Sequence, residues 1–503
     1  MSLRPRLLAL TMAAAWLAAC SSIPTTRQLA ADAAAAMGGI DELRAVETLT
    51  MRDGTGTRTR LGQTVHVGDE EDVAQLTQVV EIVDLAGGRA SMHYMLTSGG
   101  FMQNRHEILT KRGDALVGVE IIPPRPTIAT SPSGLFSWGT QNHPGLLLRR
   151  NVVSIVLAAV EMGSEELAED REMNGRTYKY GTTRTGWGEE VGLYFNPDTK
   201  MLAAYETTDT ESMLGDQPAV YLLNDYRSAG GLTLPHALTI RKGGRDYSSV
   251  QFPTIAVNDP AAEAEFEIRD EVSAQADEAI AAGEYSPVVL TDVARGVYFA
   301  QAYSHNSLVV EFPSFLAVVE AAYTEAQSTT LARVLGERFP DKPIRYAAVT
   351  HHHYDHTGGV RGLAAIGASI VVSDAHSPEM QMVLDAPHTN PPDNLARART
   401  AGASVGSLEV YDQIHTIEEG NQKLELYAVS GSPHVDPIVL AFVPGPGVLF
   451  QSDLFFPGTG AGGPTAVHLL EAVRELGLNV RINAGGHGGV GPFAELETAV
   501  AGN

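Results

Sequence analysis

The chain has 503 residues, more than one ordinary hydrophobic core accommodates, so its length predicts two domains behind a leader. Hydrophobic residues make up 44% and charged residues 19%, a balance that suits water-soluble globular domains. The net charge of −25 argues against nucleic acid as a partner, because phosphate binding needs a basic surface.

The N-terminus carries Arg4 and Arg6, followed by an apolar run over 7–19. That run has the length of a signal peptide and is too short to span a membrane comfortably. It ends in Leu17-Ala18-Ala19-Cys20-Ser21-Ser22, which resembles the lipobox of bacterial lipoproteins. The resemblance implies a lipoprotein signal peptide over 1–20 and lipidation of Cys20, which becomes the new N-terminus. Ser21 in place of Asp is similar to lipoproteins sorted to the outer membrane. The expectation is a lipid-anchored protein of the bacterial cell envelope whose domains face the periplasm. Cys20 is the only cysteine, which excludes internal disulfides and any thiolate zinc ligand.

Residues 21–39 read as a tether and a short Ala-rich helix. From 40 to 270 the pattern changes to short alternating segments separated by turn residues. Strands are predicted at 46–51, 77–83, 90–96, 102–110, 177–182, 191–195, 201–207, 219–226 and 233–241. Asn196-Pro197-Asp198-Thr199, Gly230-Gly231 and Gly243-Gly244 supply turns. This predicts an antiparallel, β-rich N-terminal domain, curled round one helix over 146–160. The arrangement resembles the half-open β-barrel of periplasmic lipoprotein carriers in architecture, without a shared motif. It would serve either as a cradle for a lipid or substrate, or as a spacer holding a catalytic domain off the membrane. Pro123-Pro124-Arg125-Pro126 reads as an exposed loop.

Residues 261–282 are rich in Ala and Glu, and a linker is expected over 271–284. From 285 to 503 strands and helices mix, which predicts a layered α/β domain. Strands are expected at 288–290, 297–302, 307–311, 315–320, 344–349, 369–372, 424–429, 438–443 and 448–451. Helices are expected at 324–338, 358–366 and 464–476. The stretch 374–411 reads as a long Pro- and Ala-rich excursion of the kind that covers sites.

The strand at 344–349 feeds Thr350-His351-His352-His353-Tyr354-Asp355-His356-Thr357-Gly358-Gly359. In an extended loop, side chains two apart point the same way, so His351 and His353 can close on one metal. Asp355 and His356 follow where the chain turns and can reach a second. Imidazoles with a carboxylate suit zinc or iron. His352 alternates away and is assigned no metal.

This string is particularly similar to the T-H-H-H-x-D-H-x-G-G of glyoxalase II, and residues 285–503 resemble the metallo-β-lactamase superfamily. The resemblance implies an αββα sandwich with metals at one edge, and downstream ligands in a fixed order. His434 stands in Gly431-Ser432-Pro433-His434, Asp453 in Gln451-Ser452-Asp453, and His487 in Gly485-Gly486-His487-Gly488. One metal would take His351, His353 and His434. The other would take Asp355, His356 and His487, with Asp453 bridging. Two zinc ions per chain are expected, with a bridging hydroxide as nucleophile and Asp355 as the catalytic carboxylate that orients it. The substrate would be a small molecule: an ester, thioester, lactone, lactam or phosphodiester. His305 is a candidate substrate contact.

Two departures from glyoxalase II stand out. Glyoxalase II has a helical C-terminal domain that binds glutathione, whereas sixteen residues follow His487 here, so a glutathione substrate is not expected. The strand ending Val318-Val319-Glu320-Ala321 also lacks the Asp that many relatives place there. Two alternatives remain beside the hydrolase. One is a sulfur-oxidising dioxygenase with a single Fe2+, and the other is a non-catalytic envelope lipoprotein that binds a ligand.

Overall fold

The segments over 46–257 build one antiparallel sheet of fourteen strands. In the computed structural model the described residues are 23–59, 73–98, 101–112, 115–122, 125–131, 144–211, 213–270, 273–274, 277, 288–302, 305–389, 392–459 and 462–502. Cys20 and the expected leader lie outside them, as does most of the expected linker.

The sheet runs from Arg125–Ser131 at one edge to Glu169–Met173 at the other. Its two meanders join where Thr48–Thr59 pairs with Arg245–Gln251. Helix Thr26–Met37 and helix Val152–Met162 bury Leu29, Ala33, Met37, Val153, Ile155 and Val156 against it. The same core takes Val83 and Leu109 from one meander and Leu193, Phe195 and Tyr221 from the other, so the sheet wraps the helices.

Three local expectations are corrected. The helix expected at 146–160 is two helices, Pro144–Arg150 and Val152–Met162. Asn151 breaks it: its side chain caps Ser154 N and donates back to Leu148 O. Residues 125–126, expected as loop, begin an edge strand, where proline is tolerated. The stretch 374–411 carries two helices, Ser377–Asp385 and Asn394–Thr400. Buried Arg361 organises it, pairing with Asp393 and donating to the carbonyls of Val383 and Leu384.

The second region is the αββα sandwich, with a seven-stranded mixed sheet and a six-stranded one. Its central strands are apolar on both faces because both faces are covered. Leu308, Val310, Ala317 and Val319 point between the sheets. Val309, Leu316 and Val318 point out, against helix Glu325–Arg338 and helix Val360–Ala365. On the far side, helix Pro464–Glu475 and helix Phe493–Ala501 cover the second sheet.

The two regions touch through the hairpin joining Leu202–Glu211 to Gly215–Ala229. Met213 at its tip is buried in the core of the second region. Asp216 accepts from Thr389 N and Oγ1 at 2.8 and 2.6 Å, and its own N–H reaches Pro387 O.

Candidate metal centre

The strand Ile344–Ala348 lies parallel between Leu316–Val319 and Ser369–Ser373, so it is held on both sides. Its C-terminal end opens into the His-rich loop, which turns into the one-turn helix Tyr354–Thr357. Thr357 Oγ1 donates to His353 O at 2.8 Å and closes the turn. Gly358 and Gly359 let it press against the neighbouring chain: a Cβ on Gly359 would lie 1.8 Å from Ser328 Oγ.

Three other loops bring the distant residues to the same edge. His434 follows the strand Gln422–Val429, in a turn where Gly431 N donates to Asp436 Oδ1. Asp453 follows Val448–Phe450. Ser452 before it has φ of +59°, a left-handed conformation that favours glycine. His487 sits in a glycine loop clamped by Asn306, whose Nδ2 donates to the carbonyls of Gly485, Gly486 and Gly488.

All seven expected ligands converge. His351, His353 and His434 bring ligand atoms within 4.8 Å of one another, and so do His356, Asp453 and His487. Asp453 belongs to the second group and also faces the first. Its Oδ2 is 3.2 Å from His434 Nε2, and its Oδ1 is 3.1 Å from His356 Nε2 and 3.4 Å from His487 Nε2. Asp355 Oδ2 lies 3.6 Å from His356 Nε2 and 3.8 Å from His487 Nε2. His352 is outside the groups and packs on His376 instead.

The donor set fits divalent metal. Nε2 of His351, Nε2 of His353 and Oδ1 of Asp355 are buried with no hydrogen-bond partner. Such atoms cost about 1–3 kcal/mol each when unmet, and here they converge. Burial pushes the imidazoles of His351 and His353 well below their ordinary range, with neighbouring charges adding to it for His351, so both stay neutral and keep a lone pair. For Asp355, burial favours the protonated form, but His356 and the hydrogen bond from His305 outweigh it and hold the carboxylate ionised.

Glu320, at the strand end marked by its missing Asp, organises this cluster from behind. It is completely buried. Its Oε2 lies 2.8 Å from His356 Nδ1, and its Oε1 accepts from Thr350 Oγ1 and Ser452 Oγ. The Nδ1–H of His356 therefore points backward and its Nε2 points into the centre. The sequence signal was a carboxylate one methylene longer than the one sought. Glu320, Tyr323 and Ser452 all have positive φ without being glycine, a concentration of backbone strain around one site.

His305 is also at the centre, though expected as a substrate contact. Its Nε2 is 3.2 Å from Asp355 Oδ2, and its ring stacks on Tyr323 at 4.3 Å. Burial, with His487 adding to it, pushes its imidazole down to about 4.

Residues 301–486 match the Metallo-beta-lactamase superfamily model, a span that takes in six of the seven expected ligands and ends one residue before His487. No curated protein matches the chain. Among solved structures it is similar to the metallo-beta-lactamase from Hirschia baltica, at 18% identity over 43% of this chain and 97% of that one, with a TM-score of 0.32. It is similar to that from Pontibacter korlensis at 16% identity, over 43% and 98%, with a TM-score of 0.34. It is also similar to FIM-1 from Pseudomonas aeruginosa, in its mono-zinc form, at 18% identity, over 43% and 94%, with a TM-score of 0.33. The second region of this chain is a metallo-beta-lactamase superfamily domain.

Proposed function

We propose that the chain is a two-zinc hydrolase acting on an ester, thioester, lactone, lactam or phosphodiester. The observation that carries this reading is Asp453, which turns Oδ2 to His434 of one group of potential ligands and Oδ1 to His356 and His487, its companions in the other. His351, His353 and His434 would hold one ion, and Asp355, His356 and His487 the other. Bound there, such ions supply Lewis acidity and bring a water towards neutral pKa.

The rest is done by the chain's own side chains. Asp355 is fixed through Oδ2 by His305 and offers Oδ1 to the attacking water, orienting it and accepting its proton. Tyr323 keeps the His305 ring in plane. Glu320 fixes His356. No side-chain nucleophile is needed, and the single cysteine lies far from the site in sequence. We also propose that Cys20 is lipidated and anchors the protein to the envelope membrane. Palmitate labelling lost in Cys20→Ala would support that anchor, and undiminished labelling would remove it.

The test of the activity is elemental analysis of the full chain, followed by a panel of esters, lactones, lactams and phosphodiesters. Two zinc ions per chain and hydrolysis that disappears in Asp453→Ala are expected. One iron per chain with oxygen consumption on a thiol substrate would replace the hydrolase by a dioxygenase.

A further inference from the structure

The His-rich loop rests on a turn too short to hold itself. Helix Tyr354–Thr357 is four residues long, carries Asp355 and His356, and has His353 as its cap residue. A single turn fixes its backbone in return for very few hydrogen bonds and is unstable alone, so packing must keep it in place. The second region supplies part of that packing. Tyr323 N donates to Asp355 O at 2.8 Å, and Gly359 N to Ala321 O at 2.9 Å.

The β-rich region supplies another part. Thr357 Oγ1 lies 2.8 Å from His353 O, 3.3 Å from His352 O and 4.0 Å from Met213 Sδ. A hydroxyl has one proton, and the shortest of these contacts takes it, so the Met213 sulfur packs against the hydroxyl. Thr357 and Met213 are 1% and 4% exposed, which shuts this contact off from solvent.

Met213 is itself held. Its hairpin closes with Glu211 paired to Gly215. Gly215 has φ of +69°, and a Cβ there would lie 2.1 Å from Pro387 O, so glycine is what lets the hairpin come this close. Asp216 then locks the approach: its N–H donates to Pro387 O at 2.6 Å, and its Oδ2 accepts from Thr389 N and Oγ1. Thr210 Oγ1 donates to the other carboxylate oxygen at 3.1 Å and ties the two hairpin strands together. An adaptable thioether is thus presented from a fixed backbone to the turn that carries the expected ligands.

We propose that Met213 is a positioning residue of the metal centre, supplied by the β-rich region. It keeps Thr357 on the carbonyl of His353 and so holds His353, Asp355 and His356 in place to bind metal. This role rests on the two-zinc reading of the centre, and it makes the β-rich region part of the centre and not a spacer alone. The experiment loads the full chain with cobalt(II) alone, reading affinity by chelator competition and coordination by visible absorption. Met213→Ala should bind cobalt about tenfold more weakly and show a changed absorption spectrum. Met213→Leu, close in volume, should restore both. Leu335→Ala, a buried change in the same core, should leave both as in the unaltered chain. Should Met213→Ala fail to fold, Asp216→Ala, which frees the hairpin without emptying that core, takes its place with the same two changes expected. Affinity and spectrum unchanged in the variant that folds, or affinity weakened as much by Leu335→Ala, would overturn the role. An unaltered chain that binds no cobalt would overturn the two-zinc reading, and this role with it.

Discussion

Both halves of this protein bury charge, and they do so in opposite ways. In the β-rich region Arg150 donates to Asp209, and Lys242 reaches Asp209 at 3.1 Å and Glu211 at 2.7 Å. Tyr221 Oη donates to Asp209 at 2.9 Å, and Arg150 also holds Glu189 through two bonds of 3.2 Å. Each charge there meets its opposite, and the network closes on itself. At the metal centre, imidazoles face one another across a short gap, with ring nitrogens of His351 and His353 left unmet. A buried polar cluster that is satisfied holds a fold together. One that converges and stays unsatisfied is built for something else to enter.

The comparison breaks first if the centre turns out to be structural. His351→Ala should lose metal and lower hydrolysis on the order of a thousandfold. Measured in chelator, its Tm should stay within about 4 °C of the unaltered chain. A large loss of stability without metal would make these histidines part of the core.

Next in size is the network. Asp209→Ala leaves Arg150 and Lys242 short of a partner inside the sheet and should cost about 3–5 kcal/mol in denaturant unfolding, with zinc content unchanged. Its pH signature has a definite sign. Burial works against the Asp209 carboxylate, but Lys242 and Arg150 outweigh it and hold its pKa below the ordinary value. Its stabilisation is present above the unfolded-state pKa near 4 and is lost as pH falls further.

Glu81 sharpens the contrast because it has the opposite sign. Its folded pKa of about 7 lies above the ordinary value of 4.5. Between these two values the folded chain holds a proton that the unfolded chain has released, so stability falls as pH rises through that window. Glu81→Gln should remove this slope and gain up to about 3 kcal/mol at pH 8, seen as a flat Tm between pH 5 and 8.

The smallest expected effect is at the support of the centre. Glu320→Gln keeps the shape but loses the carboxylate behind His356, and should weaken zinc affinity about 10–100-fold in chelator competition. An unchanged affinity would mean that the histidine is positioned by packing alone.

Legibility in the sequence followed distance along the chain. The spacing of His351, His353, Asp355 and His356 was readable because a strand and one turn fix where those side chains point. His434, Asp453 and His487 were found only through their order relative to that motif. The strand Arg245–Gln251 gave no pattern, since it mixes Arg, Asp and Ser, yet it joins the two meanders. The stretch 374–411 read as loop because the contacts that order it come from Arg361, across more than twenty residues. Asn306 carried no local signal, while its amide clamps a loop 180 residues away.

The sequence by itself determined the two pattern regimes, the single cysteine that excludes internal disulfides, and the first four metal-competent side chains. These depend on local spacing, burial periodicity and counts. Tertiary structure alone decided that Asp453 faces both groups, that Glu320 stands behind His356, and that Met213 of one region packs on Thr357 of the other. Each of these is a relation between strand ends or faces far apart in the chain. The register and layering of the sheets fix such relations, and no local run of residues encodes them.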